Sequence, residues 1–181
     1  MEIGSLRGES LFNASTTARH CTSLSLSKQD LLNFGLSSQA ASMHRLFTKN
    51  IPNIDHIEAN SLTYDFRKIT KRFDVIFIDG DHSYRGVVSD TKNAFQLLRD
   101  QKESTIIWHD AGNGYEDLRY EVISGIMDAM PPEFHSHLYR VSNSLCAIYT
   151  TRDLSSRHLT SPQIPNKVFT INLGYELFPT K

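Results

Sequence analysis

Two short runs concentrate the groups that move protons. Asp79-Gly-Asp-His-Ser-Tyr84 carries two carboxylates and an imidazole, and His109-Asp110 adds one of each. An imidazole titrates near neutrality, so it suits a general base. The same side chains are ordinary ligands of a divalent ion. Glu2-Ile-Gly-Ser-Leu-Arg-Gly8 has glycines spaced so that backbone can pass close to a bound molecule. Asn60-Ser61 is a further polar pair.

Each cluster follows an apolar run. Met1–Gly4 reads as the end of a strand entering a glycine turn, and Cys21–Leu26 and Ile54–Ala59 as second and third strands. Asp74–Ile78 is the fourth; its Val-Ile-Phe-Ile core has no polar alternation, as in a strand covered on both faces. Thr105–Trp108 is the fifth. His137–Val141 and Leu145–Thr150 flank Ser142-Asn-Ser144 as a hairpin. Helical spacing links Leu11, Ala14 and Ala18 within Gly8–Ala18. It also links Val87, Thr91, Phe95 and Leu98, and then Leu118, Val122, Ile126 and Met130 up to Pro131-Pro132. A further helix, capped by Ser37 or Ser38, carries the stripe Ala40, Met43, Phe47 and ends at Asn50, Pro52 and Asn53. Strands alternating with helices predict an α/β fold: a Rossmann-like, doubly wound, mostly parallel seven-strand sheet with an antiparallel C-terminal hairpin over His137–Thr150. In such sheets ligands bind beyond the carboxyl ends of the strands, which is where the polar clusters stand.

Composition narrows the partners. The 181 residues balance 19 basic against 20 acidic side chains, so no basic surface argues for nucleic acid and no polybasic run for a membrane. No apolar run approaches a membrane span and no secretory leader opens the chain. Cys21 and Cys146 lie far apart and match no metal spacing, so they read as reduced thiols of a cytoplasmic protein. Residues 1–152 form the expected domain, with more of it expected ahead of Met1 because so little strand precedes Glu2. Residues 153–181 read as a loop and extension rich in Ser, Thr and Pro, in which Lys167–Leu173 alternates like a strand.

The glycine turn alone is neither G-x-G-x-x-G nor a P-loop. A nicotinamide site expects an acid about 20 residues on, where this chain has Ser25, Ser27 and then Asp30. Taken with Phe73-Asp-Val-Ile-Phe-Ile-Asp-Gly-Asp-His-Ser-Tyr84 and Ile107-Trp-His-Asp110, however, Glu2–Ser10 resembles the class I S-adenosylmethionine-dependent methyltransferases. The similarity is greatest to small-domain members with "EIG" and "FIDGDHSY" motifs, and the macrolide-sugar O-methyltransferases and the cephalosporin-methoxylating methyltransferase component have related sites. It covers Glu2 to Thr150.

The resemblance implies S-adenosylmethionine as cofactor and methylation of a small molecule, at a hydroxyl. It places Glu2, Gly4, Ser5, Gly8 and Ser10 around the methionine part of the cofactor and Asn60 and Ser61 beside the adenine. Asp79 falls next to the transferred methyl. The usual ribose-binding acid is absent, leaving Ser27 or Asp30 as substitutes. His82 matches the general base of some relatives. In metal-dependent relatives Asp79 and an acidic pair after the fifth strand bind Mg²⁺. Here the pair is His109-Asp110, and Mg²⁺ prefers oxygen, so Mg²⁺ or another divalent metal stays an open expectation, as does a homo-oligomer.

The residues leave plainer readings open. Asp79 can cap the next helix, and His82 can be a helix-start histidine. Tyr84 and Tyr115 can line an acceptor pocket or sit on surface loops. Arg7 and Arg85 can meet an anionic acceptor or remain solvated. Trp108 reads as core. A degenerate fold that binds a ligand or a protein without catalysis also fits the missing second-strand acid, and a nicotinamide-dependent oxidoreductase rests on fold analogy alone.

Overall fold

The computed structural model describes residues 1–112 and 118–156. Among them, seven strands form one sheet: β1 Glu2–Ile3, β2 Cys21–Ser25, β3 Ile54–Glu58, β4 Val75–Ile78, β5 Thr105–Trp108, β6 Leu138–Arg140 and β7 Ala147–Tyr149. Their order is β3-β2-β1-β4-β5-β7-β6. The first five run parallel, and β7 returns antiparallel beside β5 with β6 on its outer side. This is the doubly wound sheet with an antiparallel hairpin that the alternation of elements predicts. The chain leaves β1 toward β2 and β3, then crosses back to β4 on the other side of β1. The carboxyl ends of β1 and β4 therefore flank the switch point, where such sheets bind ligands.

The helices are α1 Glu9–Ser15, α2 Lys28–Asn33, α3 Ser38–Ser42, α4 Tyr84–Leu97 and α5 Tyr120–Ala129. The alternate residues Ile76 and Ile78 of β4 and Ile106 and Trp108 of β5 enter one core with Val87, Ala94 and Phe95 of α4 and Val122 and Ile126 of α5. Each such aliphatic side chain contributes roughly 1.5–3 kcal/mol by leaving water. Trp108 is 1% exposed, and its indole N–H donates to Thr91 Oγ1 at 2.9 Å, so this buried polar group is satisfied.

The helix predicted over Gly8–Ala18 ends at Ser15, and Leu118 pairs with Gly112 ahead of α5 rather than joining its stripe; two further departures have a clear physical cause. Lys28–Asn33 is helical although it buries no residue. Its signal is a capping box: Ser27 accepts the Asp30 N–H, and the Asp30 carboxylate accepts from the Ser27 backbone and hydroxyl. The predicted helix through Phe47 stops instead at Ser42. Arg45 takes a positive φ of 58°. The amides of Arg45 and Phe47 then donate to the carbonyls of Leu6 and Arg7. The glycine turn after β1 thus claims the backbone groups that a longer helix would need. Ala41 is buried in place of the predicted stripe, and Phe47 is left exposed under the Arg7 guanidinium.

Both cysteines are free. No helix among the described residues is long and apolar enough to cross a membrane. The candidate strand Lys167–Leu173, Tyr115 and most of the 153–181 extension lie outside the described residues.

Candidate functional site

Gly4 fixes the floor of the switch point. It takes a φ of +93°, and a Cβ there would stand 2.3 Å from the Asp79 carbonyl oxygen and 2.4 Å from Gly80 Cα. The turns after β1 and β4 touch backbone to backbone, which only glycine permits here. Gly8 plays a different part. It opens α1 at a φ of +88°, and a Cβ would lie 2.6 Å from Thr48 Cγ2, so the bare glycine lets the turn pack against Thr48.

Above this floor lies a hollow of about 500 Å³, within the range of small-molecule sites. Gly4, Ser5, Asn60, Ser61 and Asp79 line it. Sequence reasoning missed the apolar wall from Leu24, Leu31, Phe34 and Leu36. Phe34 is 68% exposed there, an unusual position for a bare aromatic ring. The Ser27–Asp30 capping box was the signal for that wall, because it starts the helix that carries Leu31 to the hollow.

Glu2, Gly8, Ser10 and Ser27 do not reach the hollow. Ser10 Oγ donates to Glu2 Oε2 at 2.7 Å. Burial pushes the Glu2 carboxyl above the ordinary range, against the pull of that hydrogen bond. Ser27 and Asp30 bond each other as a helix cap, and neither lines the hollow, whereas Ser25 and Leu26 do.

At the Asp79 edge the proton-moving groups converge. His82 Nε2 lies 3.1 Å from Asp110 Oδ2 and 4.0 Å from Asp79 Oδ1. His109 Nδ1 lies 3.1 Å from Asp79 Oδ1 and 3.0 Å from Asp110 Oδ1, although neither oxygen is aligned for a proper hydrogen bond with the ring N–H. Arg119 Nη1 reaches Asp110 Oδ2 at 3.4 Å. Asp110 holds a positive φ of 55°, a costly conformation for a non-glycine residue. Burial lifts the Asp79 carboxyl above the ordinary carboxylate range, against the attraction of His109 and His82, while Asp110 adds to the lift.

Asp79 does not cap α4. Ser83 does, accepting the Gly86 N–H at 3.1 Å. His82 sits just outside that cap, and Tyr84 turns away to donate to Asp128 at 2.8 Å. Arg7 pairs with Glu9 at 2.7 Å. Neither Tyr84 nor Arg7 lines the hollow.

The donor set is a poor match for Mg²⁺. Among the described residues no group of three or more His, Cys, Asp or Glu side chains is disposed to hold an ion. Asp79, Asp110 and His109 are brought together but engage one another. Half of the local donors are imidazoles, which Mg²⁺ does not favour.

Residues 1–111 match the family described as a methyltransferase domain. Compared by sequence with curated proteins, the chain has no match. Among solved structures, it is similar to Aeropyrum pernix fibrillarin with bound S-adenosyl-L-methionine, at 13% identity over 82% of this chain and 63% of that one, with a TM-score of 0.55. It is also similar to the N-terminal domain of EvdMO1 with S-adenosylhomocysteine bound, at 14% identity over 83% and 73% of the two chains, TM-score 0.52. A third is an amino pentose methyltransferase of calicheamicin biosynthesis from Micromonospora echinaspora, at 12% identity and TM-score 0.42 over 60% of this chain. The chain spans 40% of that protein's length. At these identities the likeness to fibrillarin and to the EvdMO1 domain is one of fold.

Proposed function

The chain belongs to the methyltransferase-domain family, and we propose that it transfers a methyl group from S-adenosylmethionine to a hydroxyl of a small molecule. The observation that carries this reading is the His82–Asp110 pair beside Asp79, at the edge of a hollow floored by Gly4.

S-adenosylmethionine supplies a methyl carbon made electrophilic by its sulfonium. The floor at Gly4 gives the donor close backbone approach, Ser5 and Asp79 flank its sulfur end, and Asn60, Ser61 and the Leu31–Phe34 wall take the adenosyl end. Glu2, Gly8 and Ser10 brace the turn from behind. Asp110 Oδ2 stands 3.1 Å from His82 Nε2, the place from which a carboxylate would orient the imidazole and leave Nδ1 as the base. The acceptor oxygen forms its bond to the methyl carbon as the carbon–sulfur bond breaks. The electron pair of that bond stays on sulfur, and the hydroxyl proton passes to His82 Nδ1. Alignment supplies much of the rate, and the base a further 10²–10⁴-fold or so. No step runs through a metal.

A second reading has one observation behind it. The carboxyl end of β2 offers Ser25, whose hydroxyl faces His44 at 3.2 Å, rather than an acid for the donor ribose. A domain that binds a ligand without catalysis fits that feature.

The test is transfer of labelled methyl from S-adenosylmethionine to a panel of hydroxyl and amine acceptors, with His82→Ala beside the wild type. Labelled ether products that His82→Ala does not form support the reading. Products only from amines, or equal turnover by the variant, contradict it. Donor binding without any transfer favours the second reading.

A further inference from the structure

The start of α5 breaks a local rule. Arg119 occupies its N-cap and makes no side-chain capping hydrogen bond. Helices favour Ser, Thr, Asp or Asn at that position, and a cation there faces the positive end of the helix dipole. Local rules broken in this way mark positions whose use lies elsewhere in the fold.

That use lies across the turn after β5. The Arg119 N–H donates to the Ala111 carbonyl at 3.1 Å, and Leu118 pairs with Gly112 as an isolated bridge. The backbone of Arg119 is thereby fixed beside Asp110. Its guanidinium donates from Nη1 to Asp110 Oδ2 at 3.4 Å, the same oxygen that stands 3.1 Å from His82 Nε2. Asp110 Oδ1 lies 3.0 Å from His109 Nδ1, which is also 3.1 Å from Asp79 Oδ1. Two carboxylates thus crowd one imidazole. Among the described residues, Arg119 is the one arginine or lysine within salt-bridge distance of either. Asp110 also keeps a φ of 55°, a conformation that persists only where the surroundings hold it.

We propose that Arg119 is a positioning residue for the methyl transfer: its guanidinium holds the Asp110 carboxylate, as an anion, in the place from which it orients His82. The inference rests on the reading of His82 as the base. A fixed cation offsets the repulsion between Asp79 and Asp110, and its N–H keeps Oδ2 on the side of His82. A guanidinium stays charged at every working pH, so Arg119 takes no proton itself. It does not line the hollow. Its loss therefore acts on turnover, through His82, and not on donor binding.

The experiment is transfer of labelled methyl from S-adenosylmethionine to the hydroxyl acceptor panel, with S-adenosylhomocysteine calorimetry beside it. The proteins are the wild type, Arg119→Met, Arg119→Lys, His82→Ala and the double variant of Arg119→Met with His82→Ala. Arg119→Met is expected to lower kcat about 10–100-fold, a part of the roughly 10²–10⁴-fold that a base supplies, with S-adenosylhomocysteine affinity within a few fold of the wild type. Arg119→Lys, which keeps the charge, is expected to restore most of the turnover. In the slow residual reaction of His82→Ala, adding Arg119→Met is expected to cost less than about twofold, because the group it positions is gone. Wild-type turnover by Arg119→Met overturns the proposal. So does an equal fold-loss with and without His82, or a loss that appears in S-adenosylhomocysteine affinity instead. Arg119→Gln, equally uncharged, carries the same expectations should Arg119→Met not fold. Failure of the underlying reading looks different: no ether product from the wild type, or full turnover by His82→Ala, removes the base and this role with it.

Discussion

Two of the hollows among the described residues differ in kind, and the more voluminous of the pair is not the one proposed to hold the methyl donor. One, of about 720 Å³, lies against α1 and the opening residues of β1 and β4, walled by Met1, Leu11, Val75, Phe77 and Ile107 with Arg19 and Arg72 at its rim. The other, of about 500 Å³, sits over the carboxyl ends of β1 and β4. The first is a recess beside the sheet, lined by charged side chains such as Arg19, Lys71, Arg72, Asp74 and Arg99 as well as by apolar ones, away from the carboxyl ends of the strands. The second has a floor that tolerates no Cβ at Gly4, two polar loops, an exposed aromatic ring and a histidine–aspartate cluster at its edge. Convergence of chemical groups, rather than volume, marks a site.

The largest test of that contrast is Gly4→Ala. The new Cβ would collide with the Asp79 backbone at 2.3 Å and demand a φ of +93°. It is expected to abolish S-adenosylhomocysteine binding in calorimetry and to lower the unfolding free energy by roughly 2–4 kcal/mol in denaturant titration. Gly35→Ala is its control: the φ is +92° but nothing lies within 4 Å, so only the local strain, about 1 kcal/mol, is expected.

His82→Ala comes next. It is expected to cut turnover of labelled methyl by about 10²–10⁴-fold while leaving S-adenosylhomocysteine affinity within a few fold, because His82 stands at the edge of the hollow and not in its lining. Equal losses in both would make it a binding residue.

Asp90→Asn sharpens the comparison from below the floor, where Asp90 lies buried on α4 behind Gly80. The folded-state pKa of Asp90 is raised to about 7 from an ordinary 3.8. Its contribution to stability is therefore full below pH 4, declines as pH rises, and is lost above about pH 7. Removing the charge is expected to stabilise the protein at pH 8 by on the order of 2 kcal/mol, with the gain fading toward pH 4 in pH-resolved unfolding curves.

Phe34→Ala is expected to weaken donor binding by roughly 1–3 kcal/mol, the usual worth of an aromatic ring stacked on a base. Val75→Ser, in the larger hollow, is expected to change donor affinity by less than about twofold. A larger effect from Val75 than from Phe34 would break the contrast.

The same two regions show what the sequence makes legible. The strands and their polar ends stand out because continuous apolar runs bounded by charge have few other uses, and the strand-end rule alone brings Gly4, Asn60, Asp79, His82, His109 and Asp110 to one edge of the sheet. Local polar structure is harder to read. The α2 helix buries nothing, so it lacks a periodic stripe, and Ser27 and Asp30 look like ligand groups until their mutual cap is seen. The helix through Phe47 has the right spacing but loses its backbone partners to the turn after β1, a tertiary competition no local pattern records. Asp90 sits between Val87 and Thr91 in a helical stripe, and nothing nearby in sequence announces that it faces inward. The pairing of His82 with Asp110 joins residues 28 apart and needs the sheet to make it.

The central claim is that the hollow over β1 and β4 holds an adenosyl-sulfur compound. Thermal unfolding with S-adenosylhomocysteine, and in parallel with NAD, tests it most directly. At 100 times its dissociation constant a ligand adds about 2.7 kcal/mol to stability. The account predicts a clear rise in Tm with S-adenosylhomocysteine, none with NAD, and loss of the rise in Gly4→Ala. A rise with NAD alone, or none with either ligand, would contradict it.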